Sequence, residues 1–384
     1  MILTPRAELA ARAERLQKLL REKGADGAII VDRAGLFYFA GTAQRSWLFV
    51  PAEGEPLLLV KKNRARARQE SALDNVLPLD SLRELPSVLA ERGYGRLSCL
   101  GLELDVLPAG EYLRYQEIFP GARIFDAGPL TRSVRAVKSA FELELIRKAA
   151  NLAGKMFSFA RESLREGMTE VELAGLLEGF VRRHGHPGYV RTRSFSMELV
   201  YGHLLAGENG GVPSFLESPT GGSGLSPAFP QGAGCKVIGR NEPVLIDYVT
   251  VLDGYMVDQT RVFCLGRLPE KLLRAHRAAL EIQEALKEKG KPGAVCGELY
   301  ALAAGMAEKF GLAGNFMGHG VGIELDELPV IARGSRELLE EGMVLALEPK
   351  FVFPEGAVGI ENTFVVTPGG LEAVTVFEED VIYP

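Results

Sequence analysis

The chain has 384 residues, of which 47% are hydrophobic and 24% are charged, and its formal net charge is −6. This composition is typical of a folded globular protein and excludes an intrinsically disordered one, while the length predicts two domains. A negative net charge without a basic stripe interleaved with aromatic residues excludes a general nucleic-acid-binding protein. No uncharged apolar segment approaches the length of a transmembrane helix, so we expect no membrane partner.

The first 24 residues predict an amphipathic helix and not a signal peptide, because charged side chains interrupt the apolar run throughout. Thr4 is expected to cap this helix, Pro5 to occupy its first position and Gly24 to end it. The four cysteines lie far apart and form no CxxC pair, which predicts unpaired thiols and a reducing, cytoplasmic location.

The N-terminal region alternates helical segments with short apolar strands, a pattern that predicts an α/β domain with a mixed sheet. Residues 27–31 (GAIIV) predict a buried strand, and the runs WLFVP and EPLLLV on either side of residues 52–54 predict a hairpin. This region contains no catalytic cluster. We interpret residues 1–134 as a substrate-shaping or oligomerisation domain.

The pattern changes to pairs of helices at residue 135. Ser139 with Glu142, and Thr169 with Glu172, each form a capping-box signature that predicts the start of a helix. A polar region rich in Gly and Pro follows the second of these helices, and a group of strands comes next.

The order of helix, helix and strands then occurs a second time. We expect helices at about 269–289 and 295–310, followed by Gly-rich strands from Phe316 onward. Residues 135–384 are therefore predicted to form an α+β domain of two similar halves, with a functional site between the halves.

The segment Val244–Phe263 (VLIDYVTVLDGYMVDQTRVF) contains the strongest local signal in the chain. Its Asp253-Gly254 pair separates two β-branched runs and predicts a hairpin with a two-residue turn. That turn places Asp247 opposite Thr260 and makes Asp258 a diagonal neighbour of Asp247 on the same face, roughly 7–8 Å away. Two carboxylates that face inward from apolar strands are unfavourable unless a cation lies between them.

Three more polar residues interrupt apolar or Gly-rich stretches near the C-terminus. His319 is flanked by glycines in FMGHGVGIELDELP, where the backbone can pass close to a ligand. Glu348 lies in MVLALEPKFVF and Glu361 in GAVGIENTFVV. A short turn near Pro354-Glu355 would place these two glutamates opposite each other on one face.

The charge of this set predicts a metal centre. The carboxylates of Asp247, Asp258, Glu348 and Glu361 carry four negative charges, and His319 is a neutral donor. Two divalent ions balance these charges, whereas one leaves an excess. Carboxylate ligands favour Mn²⁺ or Co²⁺, with Fe²⁺ and Zn²⁺ as alternatives. Two ions about 3.5–4 Å apart polarise a carbonyl and hold a hydroxide, which is metal-assisted hydrolysis.

The series VLIDYVTVLDGYMVDQTR, GHGVGIELDE, LALEP and GIENTFVV resembles the pita-bread metallopeptidase family, which includes methionine aminopeptidase, Xaa-Pro aminopeptidase, prolidase and creatinase. The separation of 11 between Asp247 and Asp258 and the order Asp, Asp, His, Glu, Glu match its ligand pattern. The preceding domain and the segment VKSAFELELIRKAA resemble the Xaa-Pro peptidase, prolidase and creatinase branch. The resemblance implies a C-terminal pita-bread fold around a curved antiparallel sheet, a smaller creatinase-like N-terminal domain, and a homodimer.

The resemblance also implies a role for each ligand. Asp247 would bind the first ion in a bidentate manner, and Asp258 and Glu361 would bridge both ions. His319 and Glu348 would bind the second ion, and Glu348 would also act as the base toward a bridging water.

The family has two histidines that bind substrate and assist the transition state. This chain has other residues at both positions. The position seven residues after His319 holds Asp326, which could bind a cationic group or orient a proton. The other position holds Ser214 in GENGGVPS or, by its distance from Asp247, Phe229 in SPAFPQG. A missing acid–base or donor group commonly lowers the rate by about 10²–10⁴.

Three further features of the sequence concern the surroundings of the predicted centre. Residues 215–231 form an insertion rich in Gly, Ser and Pro that we expect to lie over the cleft. His203, just upstream, could supply an imidazole to the substrate. Thr260 lies two residues after Asp258 and is expected to hydrogen-bond the metal ligands.

These observations predict a dinuclear metal-dependent hydrolase of a small peptide or amide substrate, which the resemblance makes an Xaa-Pro aminopeptidase or dipeptidase. One alternative is a non-peptidase C–N hydrolase of the creatinase type. A second alternative is a catalytically weak protein of the same fold that serves as a binding protein. The presence of all five ligands favours metal-dependent hydrolysis over both.

Overall fold

The computed structural model describes residues 2–193, 197–216, 218–312 and 317–384. The chain forms two compact units, Met1–Arg135 and Ala136–Pro384. Phe316, where the second set of strands was expected to begin, and Glu217 of the expected insertion lie outside the described residues. Within the described ranges, no helix is both long enough and apolar enough to cross a membrane.

The first unit is built on a six-stranded sheet with the order β4-β3-β2-β1-β5-β6. The strands are β1 Gly27–Ile30, β2 Ser46–Pro51, β3 Leu57–Val60, β4 Val76–Pro78, β5 Cys99–Leu102 and β6 Arg123–Asp126. The helices are α1 Arg6–Glu22, α2 Arg33–Ala40, α3 Arg64–Glu70, α4 Leu85–Glu91, α5 Ala109–Ile118 and α6 Gly128–Ala136. The pairs β1–β2 and β2–β3 are antiparallel and the other three are parallel, which confirms the mixed sheet and the β2–β3 hairpin.

Helix α1 begins one residue later than the sequence predicted. Pro5 has φ −62° and ψ 150°, an extended conformation, so it is the N-cap residue and Arg6 is the first helical residue. No side chain caps this end, so the expected cap by Thr4 is wrong. The proline ring fixes φ but leaves ψ open, and the chain uses the extended ψ here.

The second unit contains four long helices and ten strands among its described residues. The helices are α7 Ala140–Ser163, α8 Glu170–Arg183, α9 Glu270–Lys289 and α10 Cys296–Lys309. The strands are β7 Gly202–Ala206, β8 Val244–Leu252, β9 Tyr255–Phe263, β10 Gly318–Gly320, β11 Glu327–Ile331, β12 Val344–Leu347, β13 Lys350–Phe353, β14 Gly356–Gly359, β15 Asn362–Thr367 and β16 Gly370–Ala373. Both capping boxes are confirmed, because in each the Ser or Thr side chain and the Glu side chain bond the opposite backbone N–H.

The helices and strands of this unit occur in two successive halves. One hydrophobic cluster packs α7 and α8 against β7, β8 and β9, and another packs α9 and α10 mainly against the later strands. The sheets are β7-β8-β9, β11-β10-β12-β15-β16 and β13-β14, and all their strand pairs are antiparallel. A bridge between Thr260 and Glu361 joins the halves, with the Thr260 N–H donating to the Glu361 carbonyl at 3.2 Å.

The β8–β9 hairpin has the register that its turn predicts. Asp247 pairs with Thr260 and Val249 pairs with Asp258. Asp253 has φ 49° and Gly254 has φ 87°, so both turn residues are left-handed, as a type I′ turn requires. The turn chemistry therefore fixes which side chains of the hairpin share a face.

Candidate metal centre

The five predicted ligands converge at the junction of the two halves. Asp247, Asp258, His319 and Glu348 line one cavity, and each is less than 9% exposed. Glu361 lies beside them and is fully buried. Both aspartates come from the β8–β9 hairpin of the first half, whereas the histidine and both glutamates come from the second half.

Glu348 and Glu361 lie opposite each other because the strand pairs on either side of them have the same register. Leu347 pairs with Asn362 on one side, and Lys350 pairs with Gly359 on the other. The turn that joins β13 to β14 contains Pro354 and Glu355, as the sequence predicted. The expected juxtaposition of the two glutamates is confirmed.

His319 lies in β10, and its two ring nitrogens face different surroundings. Nδ1 lies 2.9 Å from the carbonyl oxygen of Leu325 and 3.0 Å from that of Gly320. A carbonyl only accepts, so Nδ1 carries the proton. Nε2 lies 4.0 Å from Asp258 Oδ2, 3.8 Å from Glu348 Oε1 and 3.9 Å from Glu361 Oε1. This is the orientation of a metal-binding imidazole, with one nitrogen held by backbone and the other directed to the ligands.

A sixth residue that sequence reasoning missed, Lys350, lies in the middle of the acids. Its ammonium donates to Asp247 Oδ2 at 2.8 Å, to Glu348 Oε2 at 2.7 Å and to Glu361 Oε2 at 2.7 Å. The Lys350 side chain is 1% exposed. Three carboxylates of the predicted ligand set therefore already bind a cation that belongs to the chain.

The position of Lys350 follows from local geometry. It lies two residues after Glu348 in an extended segment, so both side chains leave the same face. Gly359 lies opposite, and a Cβ there would come within 2.6 Å of the Lys350 Cα and 2.5 Å of the Pro349 carbonyl oxygen. The alternation in LEPKF was the signal that could have identified this lysine.

Thr260 bonds the acids as expected from its place beside Asp258. Its hydroxyl lies 2.8 Å from Asp247 Oδ1 and 2.9 Å from Glu361 Oε2. One hydroxyl proton serves two carboxylate oxygens, so Thr260 orients both groups and ties the first half to the second.

The pKa values of the buried acids shift in different directions, although Asp247 and Glu361 both contact the Lys350 ammonium. Burial would raise the pKa of Asp247, but the Lys350 ammonium holds it below its usual value. Burial and the neighbouring Asp247 charge raise the pKa of Asp258 to about 7. Burial and Asp258 raise the pKa of Glu361 well above its usual value. Burial alone would lower the pKa values of Lys350 and His319, yet the surrounding carboxylates raise both.

The donor set fits one divalent ion and does not fit two. On the side of His319, buried Glu361 Oε1 has no hydrogen-bond partner among the described residues. Ligand atoms of Asp258, His319 and Glu361 lie within 4.8 Å of one another, so these three residues could hold one ion between them. On the other side, the Lys350 ammonium occupies the space between the oxygens that a second ion would need.

The predicted substrate residues fall at different distances from the cavity. Asp326 lines it, is 42% exposed at its side chain, and has Oδ1 3.7 Å from His319 Nδ1. His203 also lines the cavity, with Nδ1 2.8 Å from Thr220 Oγ1 and Nε2 3.3 Å from Gln231 Oε1. The Ser214 hydroxyl accepts from the backbone N–H of Leu216 at 3.2 Å, in a local turn.

The remaining wall of the cavity is mainly apolar and comes partly from the expected insertion. Of the described part of residues 215–231, Leu216, Ser218 and Pro219 line the cavity. Met197, Leu199, Val249 and Leu325 are the other apolar lining residues. His203 holds this segment through its contacts with Thr220 and Gln231. The cavity thus has a charged end and an apolar wall.

Comparison with known proteins identifies the family of the chain. Residues 144–368 match the model of metallopeptidase family M24, and residues 12–137 match that of the creatinase/prolidase N-terminal domain. The chain is 27% identical to the Xaa-Pro dipeptidase of Pyrococcus furiosus, over 97% of this chain and 99% of that protein. It is 29% identical to the Xaa-Pro dipeptidase of Lactobacillus delbrueckii subsp. lactis, over 94% and 96% of the two chains.

The fold is also similar to solved structures. An Xaa-Pro dipeptidase from Bacillus anthracis superposes with a TM-score of 0.84 at 24% identity, over 98% of this chain and 100% of that chain. The prolidase from Pyrococcus furiosus superposes with a TM-score of 0.79 at 25% identity, over 94% and 99% of the two chains. The expected pita-bread fold with a creatinase-type N-terminal domain is confirmed. The chain belongs to metallopeptidase family M24.

Proposed function

We propose that the protein hydrolyses a C–N amide bond in a small substrate of the Xaa-Pro dipeptide or peptide class. The observation that carries this proposal is the convergence of Asp258, His319, Glu348 and Glu361 at the charged end of one cavity. The Xaa-Pro dipeptidases that the chain resembles over nearly its whole length support the choice of substrate class.

Asp258, His319 and Glu361 would hold a divalent ion, with Glu348 adjacent. A bound ion supplies Lewis acidity toward the scissile carbonyl and lowers the pKa of water. The ligand types favour Mn²⁺ or Co²⁺ over Zn²⁺ and Fe²⁺. A two-ion centre with a hydroxide bridging both ions, as the sequence predicted, would require Lys350 to leave its three carboxylates.

Glu348 is the proposed base. Lys350 holds Oε2 at 2.7 Å, so the other oxygen, Oε1, is directed toward the His319 side of the centre. Glu348 would take a proton from the attacking water and deliver it to the leaving nitrogen as the C–N bond breaks. Hydrolysis then yields a carboxylic acid and an amine, with no other reactant.

Asp326 and His203 are proposed to contact the substrate. Asp326 combines a partly exposed carboxylate with a place on the cavity wall, which suits the cationic amino group of a peptide. The apolar wall suits the side chain or the proline ring. It remains a prediction that Ser214, or Phe229 in the other alignment, takes the place of a family histidine. The homodimer and the cytoplasmic location also remain predictions.

The test is hydrolysis of Xaa-Pro dipeptides and tripeptides by chelator-treated protein to which Mn²⁺, Co²⁺ or Zn²⁺ is added back singly. We expect ion-dependent release of the residue before proline. His319→Ala should lower kcat/KM by about 10² or more, because it removes the imidazole ligand. His184→Ala, an exposed histidine at the end of α8, is the matched control and should leave activity unchanged.

One observation favours a second candidate, a C–N hydrolase that acts on a non-peptide amide. The Lys350 ammonium makes the charge of this centre differ from that of a two-ion peptidase. Ion binding without turnover of any peptide in the panel, together with turnover of small non-peptide amides, would select this candidate.

A further inference from the structure

We propose that Lys350 permanently takes the place of one cation, so that the centre is a lysine–metal hybrid that binds one divalent ion per chain. The inference concerns the centre of the proposed function, but it rests on the geometry of the acids and not on the identity of the substrate. The centre has two parts. The lysine side consists of Lys350 Nζ and three carboxylate oxygens, and the histidine side consists of His319 Nε2 and three other carboxylate oxygens.

The lysine side is complete as it stands. An ammonium has three N–H donors, and each is directed to a different carboxylate, those of Asp247, Glu348 and Glu361. All three distances lie between 2.7 and 2.8 Å, the range of charge-assisted hydrogen bonds. All three N–H donors of the lysine are therefore used, and the lysine side needs no further cation.

The histidine side uses the opposite oxygens of the same acids. Glu348 and Glu361 each give Oε2 to Lys350 and direct Oε1 toward His319 Nε2, at 3.8 and 3.9 Å. Asp258 adds Oδ2 at 4.0 Å from the same nitrogen. These separations are too long for hydrogen bonds. They are closer to the distance between two ligands of one ion, which is roughly 3.4 Å around a tetrahedral ion. Two carboxylates thus bridge a resident ammonium and a site for one ion.

A second ion cannot share the lysine side. It would need to lie about 2.0–2.2 Å from the same oxygens that the ammonium contacts, and the two cations would then overlap. Charge leads to the same conclusion. One ammonium and one divalent ion leave one negative charge among the four carboxylates, whereas a further divalent ion would make the centre positive.

Ion counting tests the inference directly. Chelator-treated protein is equilibrated with Mn²⁺, and bound ions per chain are counted by native mass spectrometry and by elemental analysis. We expect one ion in the wild type, with the electron paramagnetic resonance spectrum of an isolated Mn²⁺. Lys350→Ala opens the lysine side and should bind two ions with a spin-coupled spectrum.

Two further variants keep the result interpretable. Lys138 is the matched control, because it is also buried in this unit but donates to Glu327 Oε2 at 3.1 Å and to the Ala136 carbonyl at 3.2 Å, away from the centre. Lys138→Ala should therefore still bind one ion. Lys350→Arg keeps the positive charge and should bind no more than one.

Two ions or none in the wild type would overturn the inference, even if Lys350→Ala does not fold. A Lys350→Ala protein that folds and binds only one ion would also overturn it, because something other than the lysine would then exclude the second ion. A wild type that binds one ion but cleaves no peptide would uphold the inference and contradict the proposed function.

Discussion

The lysine side and the histidine side of the centre are built from nearly the same acids, yet they are stabilised differently. On the lysine side, a cation of the chain itself binds three carboxylates, and the pKa of Asp247 is lowered. On the histidine side, Glu361 Oε1 has no hydrogen-bond partner among the described residues, and the pKa of Asp258 is raised to about 7. In the proposed arrangement, the lysine of the chain neutralises one part of the buried acidic cluster and a bound divalent ion would neutralise the other.

The largest expected effect breaks the lysine side. Lys350→Ala in the presence of a chelator leaves three buried carboxylates without their cation, and removing one partner of a buried ion pair costs about 3–5 kcal/mol. Denaturant unfolding should show this loss in the free energy of unfolding, and added Mn²⁺ should restore more stability than it adds to the wild type.

Lys138→Ala provides the comparison for that measurement. It also removes a buried cation, but the Glu327 carboxylate keeps hydrogen bonds from the backbone N–H groups of Ile323 and Glu324. Mn²⁺ should add no more stability to this variant than to the wild type. Equal recovery of both variants would contradict the assignment of Lys350 to the centre.

A smaller effect is expected where Thr260 joins the two sides. Thr260→Val keeps the shape of the side chain and removes the hydroxyl that contacts Asp247 Oδ1 and Glu361 Oε2. Loss of a buried partner costs about 1–3 kcal/mol, and the loss should appear in thermal or denaturant unfolding. Thr260→Ser retains the hydroxyl and should keep most of the stability; a serine variant as unstable as the valine variant would exclude the hydroxyl as the cause.

A last effect, which appears only as the pH falls below about 6.5, compares His319 with an imidazole whose pKa is lowered by burial. His186 is buried, accepts from the Gly188 N–H at 2.9 Å, and lies 3.3 Å from the Val249 carbonyl. Burial lowers its pKa to about 4, whereas the carboxylates around His319 raise the pKa of that histidine. The two imidazoles should therefore titrate on opposite sides of the usual value of about 6.5.

The sign of the His186 effect follows from proton uptake. As the pH falls from about 6.5 to about 4, the unfolded chain binds a proton at His186 that the folded chain does not, so the free energy of unfolding decreases. His186→Asn should reduce this slope in chelator-treated protein. Nuclear magnetic resonance titration of the histidine rings measures the two pKa values directly, and a His186 pKa near 6.5 would contradict the prediction.

The sequence was sufficient for those parts of the centre that local rules determine. The Asp253-Gly254 turn determines the register that places Asp247 and Asp258 on one face, and the turn at Pro354-Glu355 does the same for the glutamates. Capping boxes located the helix starts for a similar reason, because the bonds involved span only three residues.

The parts that depend on tertiary contacts were harder to predict. A lysine in a strand is usually solvated, and only the assembled acids make the burial of Lys350 favourable. Ser214 was placed by alignment, but the structure uses its hydroxyl in a local turn. The anchoring of the insertion by His203 depends on Thr220 and Gln231, which lie 17 and 28 residues away. No periodicity in the sequence reports these two contacts of His203.

The seam between the two halves limits how far the centre can adapt. Arg261, fully buried, donates to the carbonyl oxygens of Thr260 at 2.8 Å and Glu361 at 3.0 Å, and to Asn362 Oδ1 at 2.8 Å. These bonds from the Arg261 side chain hold the β8–β9 hairpin, which carries Asp258, beside strand β15, which follows Glu361. Because these bonds hold the two halves together, the proposed number of bound ions would depend on the side chain at position 350. A single substitution there would change the cofactor stoichiometry of the enzyme without altering its ligands.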